Sequence, residues 1–409
     1  MDVPPDVLRP AVELCLDLHA HPELSGDECR TAGLFADRLE QQGCSVTRKV
    51  GGHGVVGVLR NGSGPTVMLR TELDALPVAE NTGLSYTSTV PGVMHACGHD
   101  VHAAALAGAT ALLARAREDW RGTLLVVGQP AEETLSGARA MLEDGLYERF
   151  GTPDAVLAQH TAPLPAGTVA HGRGPVMAGS ATLDIVIRGR GGHAGTPHLA
   201  VDPVVTAAAV VLRLQGVVSR ETAPAEQVVL TVGSLRAGER GNVIPDRAEL
   251  GVTVRAFSEP VLRRVTDAVE RIVRGECAAS GCPEDPVVTI TSRSPALVPD
   301  PDLTEALRAV HTAGFGAGRV IHWPGATATE DFPWFGEHGA ALHGGSGVRT
   351  AYWMLGVTSA AQWRSALAGG DPVPANHSPE FAPDLRTALP TGITAMTDAA
   401  LHLLREAPR

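Results

Sequence analysis

Three short apolar runs in the first 160 residues each stop abruptly in a cluster of acid, amide or imidazole, and that pattern leaves few folds open. Thr66 to Leu69 (TVML) breaks into Arg70-Thr71-Glu72-Leu73-Asp74, and Thr123 to Val127 (TLLVV) breaks into Gly128-Gln129-Pro130-Ala131-Glu132-Glu133. Asp154 to Ala158 breaks into Gln159-His160. Helix-like segments separate these runs, as crossover connections between parallel strands require. In open α/β sheets, ligands bind beyond the carboxyl ends of the strands, because loops from several strands converge there. Three independent strand ends therefore point to one site.

With 409 residues the chain exceeds one ordinary core, so two domains, or one domain carrying an insertion, are expected. Hydrophobic residues at 44% and charged residues at 19% are globular proportions and leave no room for a long disordered or fibrous stretch. The 33 Lys plus Arg against 45 Asp plus Glu give a formal net charge of −12, and no basic stripe interrupts it. Nucleic acid and anionic membranes are accordingly not expected as partners. No basic start followed by an apolar run opens the chain, and no uninterrupted apolar stretch has the length of a membrane helix, so a cytoplasmic protein is expected. Six scattered cysteines with no Cys-x-x-Cys pair argue against a disulfide framework.

A fourth polar cluster, His95-Ala-Cys97-Gly-His99-Asp100-Val-His102, opens an alanine-rich helical stretch over 103–116. A thiolate and an imidazole two residues apart can face one ion, with Gly98 letting the backbone bend between them. Singly, each cluster has a structural reading: His160 as a hydrogen-bonded strand-end histidine, and Glu132-Glu133 as the acidic first turn of a helix. Together they read as a cation site, since adjacent carboxylates behind an apolar strand repel one another unless a cation sits between them.

HPELSGDE (21–28), RTELDALP (70–77), HACGHDVH (95–102), GQPAEE (128–133), GGHAGTPH (191–198) and NHSPEFAPD (376–384) resemble motifs of the metal-dependent aminoacylase and carboxypeptidase family. Within it they are similar to the branch of hippurate hydrolases, plant auxin-conjugate amidohydrolases and bacterial N-acyl-amino-acid deacylases. The resemblance implies Cys97, His99, Glu133, His160 and His377 as metal ligands and Glu132 as catalytic base. Five ligands of mixed type exceed what one catalytic ion with an open position needs, so two divalent ions sharing a thiolate are expected. Thiolate and imidazole favour zinc, with manganese or cobalt as alternatives. Asp74 and Asp100 are assigned to orienting ligand imidazoles. Glu72 departs from the branch, which has aspartate there, and its longer side chain puts the usual support of the ligands in question.

Residues 180–293 read differently from the flanks. The order is strand (181–187), helix (202–220), strand (227–232), strand (248–257), helix (259–278) and strand (287–292). This β-α-β-β-α-β order is that of a ferredoxin-like domain. Asp202-Pro203 supplies a cap and a first-turn proline, and Leu262, Val265, Val269 and Ile272 share one helical face. The expected architecture is thus an α/β catalytic domain (1–179 and 294–409), its sheet mixed but mostly parallel with helices on both faces, and an inserted α+β lid and dimerisation domain (180–293).

The resemblance further implies a homodimer formed by the inserted domain. His193 would reach the partner's site and polarise the scissile carbonyl, and Asn242 and Arg255 would receive the substrate carboxylate. The expected reaction is hydrolysis of an N-acyl amino acid by metal-activated water with Glu132 as general base. A dipeptidase or aminopeptidase of the same family is the alternative, and a catalytically inactive metal-binding protein is a third reading.

Overall fold

The computed structural model describes residues 3–405, and the chain divides into two compact units. The first takes the chain up to Val176, 299–324 and everything from Asp331 on; the second takes 177–298 and 325–330. Six strands precede the second unit: β1 (Ser45–Val50), β2 (Gly54–Asn61), β3 (Thr66–Glu72), β4 (Gly122–Gln129), β5 (Ala155–Pro165) and β6 (Val169–Gly172). Six lie within it: β7 (Gly179–Arg188), β8 (Gly192–His193), β9 (Val228–Ala237), β10 (Val243–Ile244), β11 (Arg247–Ala256) and β12 (Val287–Ser294). Two follow, β13 (Val320–Trp323) and β14 (Arg349–Thr358). The helices before the second unit are α1 (Pro5–Ala20), α2 (Cys29–Gln41), α3 (His99–Arg115), α4 (Gly137–Glu143) and α5 (Leu146–Phe150). Those inside it are α6 (Pro203–Gly216) and α7 (Glu259–Ala279); α8 (Pro301–Phe315), α9 (Ala340–His343), α10 (Ala360–Leu367) and α11 (Leu385–Arg405) come after.

In the first unit eight strands form one sheet in the order β1-β2-β4-β3-β5-β14-β6-β13. The central four, β4-β3-β5-β14, run parallel, while β1 and β2 at one edge and β6 against β14 pair antiparallel. The sheet is therefore mixed, with its parallel character concentrated at the centre. Val67, Leu69, Leu124, Val126, Leu157 and Trp353 point to one face, where residues of α1, α2, α3, α8 and α11 join the same core. Met68, Leu125, Val127, Val156 and Tyr352 are as deeply buried, and Tyr352 meets the Phe332 ring at 5.3 Å. Burial on both faces explains why these strands read as continuous apolar runs rather than alternating ones. Because β3, β4 and β5 are parallel, Glu72, Gln129 and the segment following His160 share one rim.

The alanine-rich α3 is buried along nearly its whole length. Its small side chains permit close approach: a Cβ on Gly108 would lie 2.6 Å from Ile393 of α11. This helix carries His99 in its first turn, directly at the rim.

In the second unit the sheet order is β12-β7-β11-β9, antiparallel throughout, and α6 and α7 share one core with it. The element order is β-α-β-β-α-β, with buried and partly exposed residues alternating along β11. The Asp202 carboxylate accepts from the Val204 N–H at 2.8 Å, and Leu262, Val265, Val269 and Ile272 all face the core. The sequence reading placed the boundaries at 180 and 293 and gave 325–330 to the catalytic domain. Residues 325–330 belong to the second unit because Ala178 N–H donates to the Ala326 and Ala328 carbonyls, at 3.1 and 3.0 Å. The two-stranded ribbon of β8 and β10 was not foreseen.

Candidate metal centre

Within the first unit, five residues far apart in sequence bring their donor atoms together. Cys97 Sγ lies 3.4 Å from His160 Nε2, and His377 Nε2 lies 3.5 Å from Glu133 Oε1. His99 Nε2 is 3.9 Å from both Glu133 Oε1 and Glu132 Oε2. The donors fall into overlapping groups: Cys97, His99 and His160; Cys97, Glu133 and His377; His99, Glu132 and Glu133, each group spanning no more than 4.8 Å. Cys97 is common to the first two, as a bridging thiolate requires. Four of the five donors are largely buried, whereas the His377 side chain is 53% exposed, so the cluster opens to solvent on that side.

Each donor is held by the backbone that delivers it. Gly98 adopts φ +81°, and a Cβ there would sit 2.6 Å from Thr161 Oγ1. The Thr161 hydroxyl donates to the Cys97 carbonyl at 2.6 Å, and Asn376 Nδ2 donates to the Thr161 carbonyl at 3.2 Å. His377, itself in the left-handed region at φ 69°, is fixed by its N–H to the Ala96 carbonyl at 2.8 Å. Asp74 Oδ2 accepts from the Glu133 N–H (2.9 Å) and Ser25 Oγ (2.7 Å), while His99 Nδ1 donates to the Asp74 carbonyl at 2.9 Å. That bond directs His99 Nε2 into the cluster.

Two atoms show that a cation fits here. His99 Nε2 and Glu133 Oε1 are buried and have no hydrogen-bond partner among the described residues. A buried polar atom left unpaired costs about 1–3 kcal/mol, so two of them 3.9 Å apart are a standing demand for a ligand. The electrostatics agree. Burial alone would push the Cys97 thiol up, but the surrounding His160, His377 and His99 hold it well below the ordinary thiol range. Burial lowers His160, yet the thiolate beside it wins and raises the imidazole to about 9; the neighbouring Cys97 and Glu133 raise His377 to about 10. Burial and the nearby Cys97 thiolate push the Glu133 carboxyl up. Protons crowded into such a field are what a dication displaces on binding.

Comparison with known proteins is decisive for the family. The model of peptidase family M20/M25/M40 matches residues 68–361. The chain belongs to peptidase family M20/M25/M40. Among its M20 relatives, the IAA-amino acid hydrolase ILR1-like 2 of Arabidopsis thaliana is 35% identical over 336 residues, 81% of this chain and 75% of the relative. The N-acetyl-L-cysteine deacetylase of Bacillus subtilis is 37% identical over 324 residues, 78% of this chain and 76% of the relative. Among solved structures, a dinuclear metal-binding M20 peptidase from Bacillus subtilis superposes with a TM-score of 0.79 at 27% identity, covering 98% of this chain and 99% of the other. As an M20 peptidase the chain is a hydrolase of amide or peptide bonds.

Beneath the M20 donors lies a buried polar layer that the sequence did not reveal. Arg70 pairs with Glu72 and also donates to Gln129 Oε1 (2.9 Å) and Asp331 Oδ1 (3.1 Å). Glu72 accepts from His102 Nδ1 at 2.7 Å, and His102 Nε2 in turn accepts from the Thr161 N–H at 2.8 Å. Although Glu72, His99 and His102 also lie close enough to hold an ion, both His102 nitrogens are engaged in this chain of bonds. Glu72 therefore supports Thr161, and through it Cys97, in spite of its departure from aspartate. Burial alone would raise the Glu72 carboxyl, but Arg70 and His102 hold it well below its ordinary value. Glu28, from the HPELSGDE motif, accepts from the Ala131 N–H at 2.8 Å and fixes the turn that aims Glu132 and Glu133.

Asp100 corrects the sequence reading. Its Oδ2 accepts from His19 Nδ1 at 2.8 Å rather than orienting a ligand imidazole, because the first turn of α3 directs it toward α1. In the second unit, His193 is exposed on β8, and its Nδ1 accepts from the Gly195 N–H at 2.9 Å. The ribbon pairs His193 with Val243 and places Asn242 beside it, the Asn242 carbonyl accepting from the Ala194 N–H at 3.2 Å. Arg255 on β11 donates to the Thr327 carbonyl at 2.8 Å.

Proposed function

We propose that this M20 hydrolase cleaves the amide bond of an N-acyl amino acid, releasing a carboxylic acid and a free amino acid. Cys97, His99, Glu133, His160 and His377 would hold two divalent ions, zinc by the softness of the donors, with manganese or cobalt as alternatives. What carries this reading is the pair of donor groups sharing Cys97, with His99 Nε2 and Glu133 Oε1 buried and unsatisfied between them. When bound, the ions supply Lewis-acid chemistry, acidifying water and drawing charge from a carbonyl oxygen.

Glu132, 4% exposed and held at the rim of the donors, takes a proton from the attacking water and returns it to the departing amino nitrogen. His193 would reach the partner's site in the homodimer and polarise the acyl oxygen there, and Asn242 and Arg255 would receive the substrate carboxylate. An acyl amide on one side and a free carboxylate on the other is the chemistry named for the plant and Bacillus relatives above. The protein acts as a homodimer: the second unit exposes Leu199, Val205 and Leu212 and leaves β9 as a free edge, surfaces that a second copy would cover. Six free cysteines suit a reducing, cytoplasmic setting.

Elemental analysis of the purified chain, coupled to a substrate panel, tests this. About two divalent ions per chain and turnover of N-acetyl and N-benzoyl amino acids, with unblocked dipeptides left intact, are expected. Preference for dipeptides with a free amino group would make it a dipeptidase, and absence of bound metal would remove the mechanism.

A further inference from the structure

A cavity of about 750 Å³ lies in the first unit between the exit of β6, strand β13 and the first turns of α8. Strand β6 runs antiparallel to β14, and β14 parallel to β5, so the chain leaving β6 at Gly172 heads for the rim opposite Glu72 and Gln129. None of the metal donors lines it.

Its walls are built around His171, Arg173, Thr304, Glu305, Arg308 and His322. Thr304 is 7% exposed, and its hydroxyl is buried with no hydrogen-bond partner among the described residues. His171 is 3% exposed, and its protonation is dictated by its neighbour. His311 Nε2 donates to the Ala395 carbonyl at 3.0 Å, which makes His311 Nδ1 an acceptor. His171 Nε2, 2.9 Å away, must donate to it. Burial keeps both rings neutral: His171 is held down to about 3, with His311 and Arg308 adding to the effect, and His311 to about 4 despite its bond to the Ala395 carbonyl. His171 Nδ1 is thereby left as a bare lone pair. Two guanidiniums, Arg173 and Arg308, face one carboxylate, Glu305, which pairs with Arg308. The cavity thus combines a surplus positive charge with an imidazole acceptor that makes no hydrogen bond among the described residues and a buried hydroxyl left unsatisfied there.

We propose that this cavity binds a small oxyanion that also carries its own O–H or N–H donor, hydrogenphosphate being the smallest. Arg173 meets the charge, Thr304 bonds an anionic oxygen, and His171 Nδ1 accepts the ligand's proton. A fully deprotonated oxyanion of the same shape would set a lone pair against a lone pair at His171 and is rejected.

Titration calorimetry of the metal-loaded full chain with inorganic phosphate, and separately with sulfate, tests the site. Saturable phosphate binding is expected, with sulfate weaker by about tenfold or more, the worth of one good hydrogen bond to a buried group. Arg173→Ala should abolish this component and Thr304→Val weaken it, while hydrolytic activity stays unchanged in both. Phosphate binding that survives Arg173→Ala resides elsewhere, at the metal centre for instance, and overturns the proposal. So does equal affinity for sulfate and phosphate, or absence of saturable binding.

Discussion

At the scale of single residues, the proposed function separates side chains that would hold ions from one that would move protons. Glu132→Gln should leave metal content intact and lower kcat by roughly 10²–10⁴, the usual worth of general-base catalysis. Elemental analysis beside steady-state rates checks this, and retained activity would remove Glu132 from the role. Gly98→Ala strikes the frame instead. The left-handed conformation costs an alanine about 1–2 kcal/mol, and its Cβ would fall 2.6 Å from Thr161 Oγ1. Thr161 must move, its bond to the Cys97 carbonyl goes, and bound metal measured by equilibrium dialysis should weaken together with the melting temperature. Cys97, His99, Glu133 and His160 were legible because each follows an apolar run or stands at the start of a helix, whereas His377, in a loop behind a proline-containing stretch, rested on the resemblance alone. Glu28, His102, Thr161 and Asn376 were not, because they act on main-chain groups brought near only by folding. Asp100 was misread for a related reason: a carboxylate's place in a motif says nothing of its direction on a helix turn.

At the scale of elements, the second unit was readable nearly strand by strand. Alternation along β11 and the apolar stripe of α7 have the periods of a half-buried strand and a one-faced helix. The α6 cap is testable by itself. Asp202→Ala removes the acceptor of the Val204 N–H and should destabilise the chain by about 1 kcal/mol in urea unfolding, whereas Asp202→Asn should retain most of the stability. The ribbon of β8 and β10 escaped notice because two residues per strand carry no period to detect. The antiparallel edges of the large sheet were likewise hidden. Burial on both faces erases alternation, and direction then depends on connections rather than on composition.

At the scale of the whole molecule, buried neutral histidines make stability depend on pH in a definite sense. His171 and His311 titrate at about 3 and 4 when folded, against about 6.5 in an unfolded chain. Between those limits the unfolded state binds more protons, so their contribution is complete above about pH 6.5 and is lost as pH falls toward 4, by on the order of 1.4 kcal/mol per pH unit for each. Urea midpoints of the chelator-treated protein should fall over that window, and fall less steeply in a His171→Leu, His311→Leu double variant; identical slopes would show that the pair does not stay neutral. The order of the donors along the chain has a consequence of another kind. His377 comes after the whole second unit and every strand of the large sheet, with only α11 still to follow, and its N–H is anchored to Ala96, far upstream. A nascent polypeptide can therefore lay down its large sheet and the other four candidate donors before His377 is in place. On the proposed function, hydrolysis would wait until the segment bearing His377 has emerged and swung back, which spares the cell a half-made hydrolase.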